Sequence, residues 1–291
     1  MGAILEIKNL SKSFPNFRLK EVSFFLNPGY IMGFIGPNGA GKSTTIKLIM
    51  NLLRKDAGEI KVFGLDHLRH EKEIKNRIGF VYDENCFYEE LTVSEMKNMV
   101  AGIYKTWDEG AFQRCLKKFD LPTNAKIKEL SRGMKMKFSL AVALSHRADL
   151  LIMDEPTSGL DPLVRSELLE ILAELIQDEQ KGIFFSTHVT SDLDKIADYI
   201  TLINDGRILF SKPKDELLET HALVKGGKEL LSKGRENCIG IREHRYGFEA
   251  LVDNRAGALK IWGDRVAVER PTLEEIMLYY TRRDNGAQPA L

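Results

Sequence analysis

Gly36-Pro-Asn-Gly-Ala-Gly-Lys42-Ser43 is the stretch on which the reading of this chain turns. It fits G-x-x-x-x-G-K-[ST], and each fixed position has a physical task. The glycines let the backbone curl so that its N–H groups face phosphate oxygens at a helix N-terminus. Lys42 reaches the β and γ phosphates of a nucleotide, and Ser43 offers a hydroxyl to Mg²⁺. Gly36, Asn38, Gly39, Ala40, Gly41, Lys42, Ser43 and Thr44 are therefore the candidate phosphate-binding residues. Tyr30-Ile-Met-Gly-Phe-Ile35 before them is a short apolar run, and a helical pattern runs from Lys42 to Leu53 after them. Strand, phosphate loop and helix follow in that order, which speaks against an incidental glycine-rich turn.

Farther along, Leu150-Leu-Ile-Met153 and Ile183-Phe-Phe185 read as fully buried strands, the pattern of a parallel sheet covered on both faces. Between them Asp161-Pro162 opens a helix with Leu168, Ile171, Leu172, Leu175 and Ile176 on one face, ending at Gly182. Such a unit builds a right-handed crossover. Asp154 directly follows the first of these strands, where P-loop NTPases hold the Mg²⁺ carboxylate, and Glu155 comes next. An acidic pair there has two uses: Asp154 for the Mg²⁺ shell, and Glu155 to orient and deprotonate an attacking water.

Upstream of the loop, Ile4, Glu6 and Lys8, then Val22, Phe24 and Leu26, alternate as two half-buried strands, followed by the turn residues Asn27-Pro28-Gly29. An antiparallel patch is expected there. Ile78 to Val81 reads as another strand, and Thr92-x-x-Glu95 is a capping box opening a mostly helical stretch that reaches about Arg147. After Pro213 the texture changes to Lys, Glu, Gly and Arg with short strands at Gly247 to Val252 and Arg265 to Val268. Thr272-x-x-Glu275 caps a last helix, and the tail from Asp284 to Leu291 reads as frayed.

Length and composition set the outer bounds. The chain has 291 residues, room for one large α/β domain plus a smaller one, with 43% apolar and 29% charged residues. Lys plus Arg and Asp plus Glu both number 42, so bulk positive charge does not hold nucleic acid here, and no nucleic-acid partner is expected. Cys86, Cys115 and Cys238 are odd in number and far apart, which fits a reducing compartment better than a disulfide framework. The first ten residues carry Glu6 and Lys8 and lack a signal-peptide pattern. No run approaches the roughly 18 apolar residues of a membrane span, so any membrane work needs spans from another chain.

Leu130-Ser-Arg-Gly-Met134, Asp154-Glu-Pro-Thr-Ser-Gly-Leu-Asp161 and Ser186-Thr-His188, in that order behind the phosphate loop, resemble the remaining motifs of the ABC ATPase cassette. The resemblance covers about residues 3 to 215, and the tail is similar in placement to that of ATP-binding subunits of ABC-2-type and bacitracin-resistance-type exporters. It implies an α/β, RecA-like P-loop core with a mainly parallel sheet, an antiparallel β patch and an inserted helical subdomain at about 86–147. It also implies a cassette at 1–215 and a small α+β accessory subdomain at 216–291. ATP and Mg²⁺ are the implied cofactors. The implied partners are a second cassette chain, identical or closely related, and a separate transmembrane permease. The implied location is the cytoplasm, peripheral on the inner face of the cell membrane.

The resemblance also assigns residues. Ser131 and Gly133 would cap the γ-phosphate held by the partner chain, although Ser131 is equally a good N-cap for the helix from Met134 to Leu144. His188 matches the switch histidine that contacts the γ-phosphate. Asp161 matches the aspartate that communicates between the two sites, and it too is a good N-cap. Phe14 resembles the aromatic that stacks on adenine, with a core-facing role as the alternative and Phe17 as the rival ring. Three positions depart from the commonest pattern. Arg132 stands where Gly is usual, Met134 replaces Gln, and Asp83 replaces the Q-loop glutamine. A carboxylate at 83 can still join a Mg²⁺ and water shell, but it donates no amide hydrogen bond and adds negative charge. Two other classes fit parts of the pattern: a soluble ABC-type ATPase acting on ribosomes or nucleic acid, and a regulatory module that scarcely hydrolyses. The single phosphate loop and the lack of Cys-x-x-Cys count against the first, and Glu155 and His188 against the second.

Overall fold

The computed structural model describes residues 2–83 and 86–283; the tail from Asp284 to Leu291, read as frayed, lies outside the described residues. Strands β1 (Leu5–Phe14) and β2 (Phe17–Leu26) pair antiparallel with Leu5 opposite Leu26, as the alternation of Ile7, Val22, Phe24 and Leu26 requires. Every residue of β3 (Ile31–Ile35) is buried, and the phosphate loop joins it to α1 (Lys42–Ile49). The helix is shorter than the pattern to Leu53 suggested. Asn51 takes a left-handed φ of 53°, and the Leu52 N–H turns back to the Lys47 carbonyl at 2.8 Å, a Schellman-type stop that satisfies an otherwise orphan acceptor.

Strand β4 (Ala57–Val62) returns to β1, and β5 (Leu65–Asp66) extends that sheet, giving the order β2-β1-β4-β5. Helix α2 (Glu71–Asn76) leads into β6 (Ile78–Val81). Next come α3 (Val93–Ala101), α4 (Glu109–Phe119) and α5 (Arg132–Leu144), which pack around Phe112, Leu116 and Phe138. The Thr92 capping box is present: the Glu95 N–H donates to Thr92 Oγ1, and the Thr92 N–H donates to Glu95 Oε2. The crossover runs from β7 (Leu150–Asp154) through α6 (Pro162–Leu175) to β8 (Gly182–Thr187). Gly182 opens the strand rather than ending the helix, because its N–H pairs with the Asp149 carbonyl at 2.9 Å. Helix α7 (Thr190–Ile196), β9 (Tyr199–Asn204) and β10 (Arg207–Pro213) complete this part.

The central sheet has the order β10-β9-β3-β8-β7-β6, with β9, β3, β8, β7 and β6 parallel and β10 antiparallel at the edge. The pleat sorts its side chains onto two faces. Phe34, Ile152 and Phe184 meet α1 and the antiparallel sheet, where Phe24 stacks on Phe184 at 5.5 Å between centroids. Ile35, Met153 and Phe185 meet the opposite layer, to which α5, α6 and α7 contribute. Burying one such phenylalanine stabilises the fold by about 2–3 kcal/mol, so both faces are secured and the strand ends that carry Asp154 and Thr187 are held in register.

Beyond β10 the chain forms α8 (Lys214–Thr220), β11 (Ala222–Gly226), α9 (Lys228–Leu231), β12 (Gly240–His244), β13 (Gly247–Val252), α10 (Arg255–Trp262), β14 (Ala267–Glu269) and α11 (Leu273–Arg283). The sheet order is β12-β13-β11-β14, all antiparallel. The last strand begins at Ala267 rather than Arg265, because Gly263–Arg265 forms a 3₁₀ turn after Gly263, whose φ is +57°. One face of this sheet encloses Trp262 with Val224 and Phe248. The other, through Leu273, Ile276 and Tyr279, continues into the core around the parallel sheet.

Candidate nucleotide site

The phosphate loop leaves β3 at the C-terminal end of the parallel sheet, where open α/β sheets place ligands. Its glycines are required by geometry. A Cβ on Gly36 would lie 2.2 Å from the Ile203 carbonyl oxygen, and Gly41 has φ +114°. Gly41 is also the N-cap of α1 and offers no side-chain acceptor, so the first N–H groups of that helix are left for an anion. The Ala40 carbonyl is anchored by the Gly206 N–H at 3.0 Å, which fixes the loop to the β9–β10 turn.

Lys42 is almost fully buried and folds over its own loop, donating to the Gly36 carbonyl at 2.8 Å. Its Nζ also stands 3.2 Å from Glu155 Oε1. The other carboxylate oxygen, Oε2, lies 2.7 Å from His188 Nδ1 and accepts the His188 backbone N–H at 3.3 Å. Glu155 is only 12% exposed, whereas His188 is 45% exposed. The carboxylate is therefore gripped between a buried ammonium and an accessible imidazole. The backbone at Glu155 has a left-handed φ of 48°, unusual for a glutamate and a form of stored strain found at functional sites. Ser186 sustains it: its hydroxyl donates to Asp154 Oδ1 at 2.5 Å and accepts the Glu155 N–H at 3.1 Å.

These groups open on a cleft of about 650 Å³. Asn38, Gly39, Gly41, Lys42, Ser43 and Thr44 line it from the loop, and Asp83, Glu155, Ser158 and His188 from the facing strand ends. Gly36 and Ala40 support the loop from behind. Phe14 does not line the cleft; the rival ring, Phe17, does, together with Asn16, and Phe17 lies against Gly41. The two residues stand opposite each other in the β1–β2 pair, their ring centroids 6.4 Å apart, with Phe17 the one beside the loop. Ser131 and Gly133 also lie outside the lining. Ser131 caps α5 by accepting the Met134 N–H at 3.2 Å, and Gly133 packs against Val164. Asp161 caps α6 through the Leu163 and Val164 N–H groups, both at 3.1 Å.

The oxygen donors suit Mg²⁺. Among the described residues no group of three or more His, Cys, Asp or Glu side chains could hold a metal by itself. Asp154, buried beside Ser186, presents a carboxylate, Ser43 a hydroxyl on the cleft, and Asp83 a further carboxylate at the cleft edge.

A second network was not visible in the sequence. Buried Asp192 on α7 accepts from Thr157 Oγ1 at 2.6 Å and from Arg165 Nε at 2.5 Å, tying the Asp154–Asp161 segment and the start of α6 to the segment that carries His188. The partners lie 27 to 35 positions apart, and no local pattern connects them.

Strand-borne carboxylates, a phosphate loop and a histidine at the neighbouring strand end define a P-loop nucleotide-binding site. The family model described as ABC transporter matches residues 19–158. The bacitracin transport ATP-binding protein BcrA of Bacillus licheniformis is 33% identical over 220 residues, covering 75% of this chain and 72% of that protein. The solved ATP-binding subunit of an ABC transporter superposes with a TM-score of 0.68 at 30% identity, covering 74% of this chain and 92% of the other. An ATP-binding cassette solved as a dimer in a post-hydrolysis state with ADP and Pi has a TM-score of 0.64 at 24% identity, covering 72% and 98%, and shares the fold. The chain belongs to the ABC transporter ATP-binding family.

Proposed function

We propose that this chain is the ATP-hydrolysing subunit of an exporter and drives a separate transmembrane permease. In this reading residues 1–215 are the motor cassette, with a helical subdomain at about 86–147, and 216–291 are an accessory subdomain. The observation that carries the reading is the carboxylate of Glu155 clamped between Lys42 and His188 beside a free helix N-terminus. The phosphates of ATP would displace Lys42 from Glu155 and draw it to the β and γ oxygens. Glu155 is then free to accept a proton from water, and His188 remains on its Oε2 to orient it. Mg²⁺, when bound through Ser43, Asp154 and the phosphates, supplies charge neutralisation and alignment. Phe17 offers the ring for the base, in preference to Phe14.

Ser131, Gly133 and Asp161 lie outside the cleft lining of their own chain, which suits action on a second chain: Ser131 and Gly133 would close on its γ-phosphate. The start of α5 would bring N–H groups to that anion. A related cassette solved as a dimer supports pairing, and no helix among the described residues is long and apolar enough to cross a membrane, so the spans would belong to the permease. A peripheral position on the cytoplasmic face follows from that division of labour. Affinity capture of the tagged chain from detergent-solubilised membranes of its host, with Glu155→Gln to hold the ATP-closed state, should recover a stoichiometric multi-span protein. Recovery solely from the soluble fraction, or with ribosomes, would replace the transporter reading with a soluble ATPase.

A further inference from the structure

Two of the departures from the family pattern, Asp83 and Arg132, stand 49 positions apart in sequence and meet in space. Arg132 Nη2 lies 3.2 Å from Asp83 Oδ1, with the side chains 55% and 41% exposed. Asp83 lines the cleft that holds Lys42, Ser43 and Glu155. Arg132 is the first residue of α5, between Ser131 and Gly133. Its guanidinium also lies over Gly159 in the loop after Glu155: a Cβ on Gly159 would be 2.4 Å from Arg132 Nη1 and 2.8 Å from Cζ. One side chain thus touches the Asp83 segment and the loop leading to Asp161 while standing at the head of the helix meant for phosphate capture.

The placement is not explained by helix stability. A cation in the first turn of a helix opposes the macrodipole, so Arg132 gains nothing from α5 itself. A carboxylate at the edge of a polyphosphate cleft is equally ill-placed alone, because it repels the incoming phosphates. Each charge answers the other. A carboxylate engaged by a guanidinium is less available to a metal-bound water.

We propose that Arg132 is a positioning residue that shields Asp83 in the nucleotide-free chain, and that the metal–nucleotide complex competes with it for that carboxylate. Binding of Mg²⁺ with the nucleotide then frees Arg132, beside Ser131 and Gly133, so that filling the cleft and readying α5 for the second chain become one event. The proposal rests on the nucleotide reading of the cleft.

The test is the affinity of the full-length chain for the fluorescent nucleotide MANT-ATP, measured with Mg²⁺ and with EDTA, the ratio of the two being the readout. In Arg132→Ala the guanidinium is gone from Asp83: binding without metal weakens, binding with Mg²⁺ strengthens, and the ratio grows. An exposed pair of this kind is worth about a two- to fivefold change. Arg132→Lys should stay close to the parent chain. In an Asp83→Asn background, Arg132→Ala should leave the ratio unchanged. Both side chains are exposed, so thermal melts of the variants should match the parent. A ratio unaltered by Arg132→Ala, or altered equally in the Asp83→Asn background, overturns the proposal. Failure of the parent chain to bind MANT-ATP overturns instead the nucleotide reading beneath it.

Discussion

Two carboxylates face one cleft and are held in opposite ways. Glu155 is nearly buried, strained in its backbone and gripped by Lys42 and His188. Asp83 is exposed and meets an exposed arginine. In the low dielectric beside the buried lysine, charge interactions are strong and geometry is fixed; at the rim, water and salt screen them. The contrast is between a carboxylate fixed by buried partners and one at the rim, where an exchange of partners costs little energy.

The strongest way to break this contrast is Glu155→Gln. It should lower steady-state ATP turnover by about 10²- to 10⁴-fold through kcat, with MANT-ATP affinity within a few-fold of the parent. Turnover near the parent's would put Glu155 on a level with Asp83 and remove it as the base. Next is Lys42→Ala, which deletes charge-assisted hydrogen bonds worth about 1.5–3 kcal/mol and should raise the nucleotide dissociation constant by about 10- to 100-fold. Unchanged affinity in a titration would deny that the buried lysine meets phosphate.

Asp192→Asn sharpens the comparison from behind the site. Its loss leaves Thr157 and Arg165 with a poorer partner and should cost about 2 kcal/mol, read as a lower Tm, together with a fall in kcat from misplacement of the segments bearing His188 and Asp161. A lower Tm with unchanged kcat would confine Asp192 to a structural role. The smallest effect is that of pH on stability. Burial holds His67, His146 and His221 below their ordinary pKa. The unfolded chain therefore takes up protons near pH 6.5 that the folded chain refuses, so their contribution is fully present above that pH and declines as pH falls through and below it. Tm should drop between pH 7.5 and 5.5, and a rise would mean these imidazoles are protonated in the fold.

Much of the site was legible because its signals are local. The phosphate loop needs glycines at fixed offsets; Thr92, Ser131, Asp161 and Thr272 announce helix starts by the hydrogen bonds their side chains accept. The uninterrupted apolar runs ending at Met153 and Phe185 have the burial pattern of parallel strands, and both lie inside the sheet. What escaped were matters of direction and stopping. Phe14 and Phe17 are both aromatic and three residues apart, so local spacing does not tell them apart, and Phe17 is the one that lines the cleft. The end of α1 rests on a left-handed Asn51, a conformation that asparagine permits without requiring.

The sequence by itself determined the fold class, the strand–loop–helix unit and the order of the motifs. Each of these depends on contacts within a few positions, where spacing alone fixes which atoms meet. Only the tertiary structure decided that Glu155 is clamped by Lys42 and His188, that Asp192 ties α6 to α7, and that Asp83 finds Arg132. Those partners are 27 to 113 positions apart, and their meeting is set by which strands lie side by side in the sheet, a global packing outcome that no local spacing encodes.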